Sequence, residues 1–151
     1  MMKRVFYILL SFFILILSSC GTPEEEKPLE FAAKIIGVET ILDYDGTPLL
    51  AVTINWTNNS NYTANYLGEL KCQAFQDGIE LEKQYYINEE FYPIMSQNYK
   101  TRDNDIKPGV SLEVTDFFKI RNTNSVIEIE IDEIVSFNSE LLDSCIYSFN
   151  K

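Results

Sequence analysis

Few side chains in this sequence carry reactive chemistry. None of its 151 residues is a histidine, which removes the commonest general base, the commonest zinc ligand and every Ser-His or Cys-His nucleophile pair. Carboxylates are what remain. Asp43, Asp45 and Gly46 have the residue types that open a calcium loop, and so do Asp103, Asn104 and Asp105. Neither stretch continues to the further ligands and bidentate glutamate such a loop needs, and ordinary turns use the same residues. Glu89-Glu90, and Glu80 with Glu82, are paired carboxylates of the kind acid–base catalysis employs. With 23 acidic residues such pairs arise throughout the chain, and Glu80 and Glu82 are expected on one wet strand face. No catalytic residue, metal site or cofactor is expected.

Recognition chemistry is denser. Residues 84–104, QYYINEEFYPIMSQNYKTRDN, hold Tyr85, Tyr86, Phe91, Tyr92 and Tyr99. The stretch is too long for a plain hairpin, and loops of this length in compact domains are often functional. Tyrosine supplies large, rigid, amphipathic contact area suited to protein, peptide or glycan partners. The plainer alternative is that these rings plug an open end of the fold.

Three cysteines have different prospects. Cys20 follows Leu17-Ser18-Ser19 at the end of an apolar run, Val5 to Leu17, that begins just after Lys3 and Arg4. Thirteen helical residues rise about 20 Å, short of a hydrocarbon core of about 30 Å. A positive start, an apolar stretch of this length and small residues before a cut make a secretory signal over residues 1–19. Leu-Ser-Ser-Cys resembles the bacterial lipobox, which implies a diacylglycerol on the Cys20 sulfur. Two acyl chains anchor stably where one does not. Residues 20–30, with Pro23, Glu24-Glu25-Glu26 and Pro28, then read as an acidic tether. Cys72 and Cys145 are left as an even pair in an exported chain, either a disulfide or two buried thiols.

Removing residues 1–19 takes away Lys3 and Arg4 but no acid, leaving 10 basic against 23 acidic residues, a net charge of −13. Such a surface repels nucleic-acid phosphates, so nucleic acid is not an expected partner. It also repels anionic headgroups, so the lipid tail must do the anchoring. Residues 31–151 are enough for one domain with a real core.

That domain reads as all-β. Leu50, Val52, Ile54 and Trp56 alternate with Ala51, Thr53, Asn55 and Thr57, and Ile127, Ile129 and Ile131 with Glu128, Glu130 and Asp132. Both are half-buried strands. Leu70, Cys72 and Ala74 share one face, and SLEVTDFFKI continues the style. Turn signals fall at DYDGTP, TNNSNYTAN, KPG and RNTNS. Asp77-Gly78 suits a two-residue hairpin whose central positions take positive φ. About seven strands at this spacing predict an antiparallel β-sandwich. No ten-residue helical stripe follows the signal.

TINWTNNSNYTANY, CQAFQDGIELE and DIKPGVSLEVTDFFKIRNTNSVIEIEI together resemble a family of bacterial lipoproteins of unassigned function. That family couples a lipobox to an immunoglobulin-like, telokin-like sandwich. Its recurrent features correspond here to Asn58-Asn59-Ser60, Ala74 to Gly78, and Pro108-Gly109, within roughly residues 31–135. The tail FNSELLDSCIYSFN falls outside it. The resemblance implies a fold and a location and supplies no catalytic residue; Asn59 and Ser60 are expected to satisfy turn backbone.

The resulting expectation is a membrane-anchored extracytoplasmic protein that binds an envelope protein, a peptide or a glycan without catalysis. Alternatives are a cation-binding module, a carboxylate-dependent hydrolase, or a structural accessory subunit of a membrane complex.

Overall fold

The computed structural model of the chain describes residues 29–149 apart from 86, 136 and 137. The signal segment, Cys20, most of the tether and Tyr86 lie outside the described residues. Eight strands form two antiparallel sheets of four. In the first, β1 (Phe31–Leu42), β2 (Pro48–Asn58), β6 (Ser111–Lys119) and β5 (Lys83–Gln84) lie side by side in that order. In the second, the order is β4 (Ile79–Glu80), β3 (Leu70–Gln76), β7 (Ile127–Val135) and β8 (Asn138–Tyr147). The tail left outside the resemblance is therefore the eighth strand. α1 (Tyr66–Glu69) leads into β3, and α2 (Pro93–Lys100) runs into a 3-10 turn, Thr101–Asp103, before β6.

Period-two alternation places one row of each strand between the sheets. Leu50, Val52, Ile54 and Trp56 of β2 meet Cys72 and Ala74 of β3, Val114 and Phe118 of β6, and Ile127, Ile129 and Ile131 of β7, all buried. Phe31 and Tyr66 flank Trp56 with ring centroids 6.2 Å away on either side. Burying each large apolar side chain stabilises by roughly 1.5–3 kcal/mol. The opposite row of β2 is dry at its start, however. Leu49 and Ala51 join Ile41, Ile87 and Phe117 in a second cluster on the outer face of the first sheet, with Tyr92, Met95 and Tyr99 packed on it. Glu128 of β7 is exposed on the other outer face, as the alternation requires.

The predicted hairpin forms. Asp77 has φ 54° and Gly78 φ 72°, while Gln76 pairs with Ile79 and Phe75 with Glu80. The next residues do not continue one strand. The N–H of Leu81 donates to Ala74 O at 2.7 Å, Leu81 is buried, and the chain crosses to the first sheet as β5. Glu80 thus accepts from Gln73 on one sheet while Glu82 pairs with Lys119 on the other. They do not share a strand face.

Two buried amides organise the loops. The Asn58 side chain donates to Tyr62 O and Ile106 O, and accepts from the N–H and hydroxyl of Ser60. Asn58, not Asn59, is the centre of the Asn-Asn-Ser motif. Gln76 does the same for the loop before β7. Its Nε2 donates to Asn122 O and Ser125 O, and its Oε1 accepts from the N–H groups of Arg121 and Asn122.

β1 and β8 lie at the same side of the sandwich. The Ile35 N–H donates to the Asp143 carboxylate at 2.8 Å, so a side chain of one sheet caps the open edge of the other. Cys72 and Cys145 are free thiols. They sit on either side of β7, opposite Ile131 and Ile129 respectively. Two strand spacings of about 4.8 Å separate them, beyond the reach of about 7 Å between Cα atoms that a disulfide allows.

Gln76→Ala is expected to cost about 2 kcal/mol, because two half-buried N–H groups and two half-buried carbonyls lose their partners at once. Urea unfolding followed by the fluorescence of Trp56, the sole tryptophan, measures it. A loss under about 1 kcal/mol would show the clamp to be dispensable.

Candidate functional site

Residues 84–104 are not a loop throughout. Asn88 turns the chain, its carboxamide oxygen accepting from the Glu90 and Phe91 N–H groups at 3.1 and 3.4 Å. Pro93, whose missing N–H costs nothing in a first turn, then opens α2, and Lys100 closes it. Met95 and Tyr99, four apart, face the sheet and pack on the second cluster. The Tyr99 ring stacks on Phe117 at 5.6 Å. Tyr92 is half-buried, and its hydroxyl accepts the Leu42 N–H at 3.1 Å.

A cleft of about 260 Å³ opens beside this helix, lined by Tyr44, Tyr85, Ile87, Glu89, Ser96, Tyr99 and Lys100. Tyr44 comes from the turn between β1 and β2. Asp43 N–H donates to Thr47 O, and Thr47 N–H donates to the Asp45 carboxylate at 2.9 Å; the Thr47 hydroxyl first, and this N–H with it, hold that carboxyl below its ordinary range. Gln84 donates to the Asp43 carboxylate at 2.7 Å, tying the turn to β5. Glu89 and Lys100 form an ion pair at 2.8 Å on the rim, and the hydrogen bond and charge of Lys100 lower the Glu89 pKa.

Of the sequence-predicted recognition residues, Tyr85 and Tyr99 line the cleft. Phe91 is 74% exposed on the turn before α2, and Tyr92 is a packing residue. Tyr44, Ile87, Ser96 and Lys100 were not singled out by the sequence. The one available signal was a tyrosine in the middle of an otherwise hydrophilic turn.

Behind Tyr99 lies a buried ionic cluster. Asp116 of β6, fully buried, accepts from Tyr66 Oη at 3.0 Å, Lys83 Nζ at 3.2 Å and Arg102 Nη1. The Arg102 guanidinium also lies 3.6 Å over the Tyr99 ring. Burial, reinforced by the negative charge of Asp116, pushes the Tyr66 hydroxyl and the Cys72 thiol well above their ordinary ranges. Neither is a nucleophile at neutral pH. The acid–base pairs expected as an alternative are not assembled, since Glu89 is bound to Lys100 and Glu80 is parted from Glu82. Asp45 and Asp105 spend oxygens on Thr47 and Asn65, and no three His, Cys, Asp or Glu side chains gather for a metal among the described residues.

A family model described as a domain of unknown function (DUF5067) matches residues 24–133. No curated protein matches the chain. A Staphylococcus aureus protein, provisionally described as a lipoprotein, superposes with a TM-score of 0.59 at 15% identity, over 79% of this chain and 83% of that one. A protein from Enterococcus faecalis, solved by NMR, does so with a TM-score of 0.54 at 18% identity, over 88% and 96%. At these identities the likeness is one of fold.

The raised Cys72 and Tyr66 values have a signed consequence. Folding holds both groups protonated, so the stability they contribute is complete below the unfolded values of 9.0 and 10.0 and declines as pH rises past them. The urea midpoint is expected to fall between about pH 9 and 11, and less steeply at the lower end in Cys72→Val. An identical slope in the variant would show that the thiol is not coupled to folding.

Proposed function

The chain belongs to the DUF5067 family of unknown-function domains, and from that premise we propose a lipid-anchored extracytoplasmic protein that works by non-covalent recognition at the aromatic cleft. The observation that carries this reading is the cleft itself. It combines exposed tyrosines from two strand ends with a wall, Tyr99, fixed by Phe117 and Arg102. Rigid aromatic surface beside a packed scaffold is what recognition uses and what catalysis does not need. The partner is an envelope protein, a peptide or a glycan.

Two four-stranded antiparallel sheets packed face to face support reading the domain as an immunoglobulin-like sandwich. The anchoring rests on Cys20 after Leu17-Ser18-Ser19, and the lipoprotein description of the staphylococcal structure accords with it. Among the described residues no helix is long and apolar enough to cross a membrane. The polarity of the fold suits such an anchor. Chain arriving from Cys20 enters β1 at Phe31, whereas Tyr44 follows its far end at Leu42. Twelve residues of strand put the two about 36 Å apart, so the cleft lies at the end of β1 far from where the chain enters the domain.

Cys20→Ala is expected to abolish incorporation of labelled fatty acid in cells; retained label would end the anchoring reading. A photo-crosslinking residue at Lys100, which lines the cleft with its side chain largely exposed, is expected to give a discrete adduct in intact cells. Tyr44→Ala with Tyr85→Ala should reduce that adduct roughly tenfold without lowering thermal stability, as befits exposed anchors. An undiminished adduct in the double variant would remove the cleft from the binding surface.

A further inference from the structure

Resting on the recognition reading above, we infer that the cleft takes a bulky apolar side chain from a polypeptide whose neighbouring residues are basic, rather than a sugar. The lining decides the first half. Its surface is mostly the rings of Tyr44, Tyr85 and Tyr99 with Ile87. The two charged members, Glu89 and Lys100, are bound to each other at 2.8 Å. Orienting a ring of hydroxyls takes several fixed polar groups that are free to bond, and this lining has already spent its strongest. An aromatic or branched aliphatic side chain needs only shape and desolvation. The volume, about 260 Å³, lies below the roughly 300–1,000 Å³ of sites that enclose whole small molecules. It suits a single inserted group.

Charge decides the second half. Lys100 is paired with Glu89 and Lys119 with Glu82, while Lys83 and Arg102 are committed to the buried Asp116. Asp43, Asp45 and Glu90, on the two turns beside the cleft, and Glu39, on the outer face of β1, have no ion pair among the described residues. The whole chain carries −11. The rim is thus an unneutralised negative field around an apolar hole. It favours a segment with lysine or arginine on either side of its anchor and disfavours acidic ones.

The test uses the full-length protein in detergent micelles, with fluorine-labelled tyrosines read by NMR. The probes are the capped peptides Lys-Lys-Trp-Lys-Lys, Lys-Lys-Ala-Lys-Lys and Glu-Glu-Trp-Glu-Glu, and a tetramer of N-acetylglucosamine. The first peptide is expected to shift the Tyr44 and Tyr85 signals saturably. Binding should be about fivefold weaker or more for each other peptide, in Tyr85→Ala, and in about 500 mM salt. Equal binding of the alanine peptide would reduce the effect to surface charge and overturn the inference, as would no shift at about 5 mM of the first peptide, where anchors of this size are detectable. Shifts with the sugar alone would overturn it too, while leaving recognition at the cleft intact. An adduct at Lys100 that persists undiminished in Tyr44→Ala with Tyr85→Ala would instead overturn the reading beneath it.

Discussion

A carboxylate with no solvent exposure, Asp116, ties two neighbouring strands, β5 and β6, to two segments that lie in neither sheet. It points between the sheets, in the same row of β6 as Val114 and Phe118. Tyr66 reaches it from α1, Lys83 from β5, and Arg102 from the turn that follows the outer-face helix. Arg102 must therefore pass round the edge of β6, where β5 pairs only Phe117 and Phe118. Its guanidinium then presses on Tyr99, which walls the cleft. Removing Asp116 would leave the buried Arg102 guanidinium without its carboxylate, at a cost of about 3–5 kcal/mol. An apolar substitute for the whole set would cost little by that reasoning. What the ionic version adds is direction: a guanidinium with one buried acceptor fixes where α2 can sit.

The strands were legible because alternation is a direct record of two-faced burial. The rows 50–56 and 127–131 and the Asp77-Gly78 turn needed no tertiary information. The helix was not legible. Pro93–Lys100 is eight residues long and turns only Met95 and Tyr99 to the sheet, too few positions for a period to show. The second cluster was hidden for a related reason. Leu49 and Ala51 sit in the row that alternation assigns to water, and only the helix above them makes the start of that row dry. The two thiols lay beyond sequence reasoning altogether, since a strand between them is a fact of topology.

The interior amides show the same limit from the other side. Composition marked TNNSNYTAN and RNTNS as turns, yet Asn58 and Gln76 are strand residues whose carboxamides reach into those turns. Short loops with many unpaired backbone groups need a buried donor–acceptor to close on. Asn58-Ser60, Ala74–Gly78 and Pro108-Gly109, the features behind the lipoprotein resemblance, all do this architectural work. The cleft draws on other residues entirely: Tyr44, Tyr85, Ile87 and Tyr99. In this domain, holding the shape and presenting the surface fall to separate sets of side chains.

On the proposed anchoring, the Asp143–Ile35 contact would bear on life at a crowded bilayer. Proteins tethered to a plane meet side-on far more often than they would in free volume, and a long border strand such as β1 invites lateral ladder growth from one copy to the next. An ionised acceptor already seated on its backbone turns that border into a poor template, since an incoming strand would have to evict a charge to gain one bond. Dense arrays of this protein should thus stay a population of individuals rather than condense into ribbons.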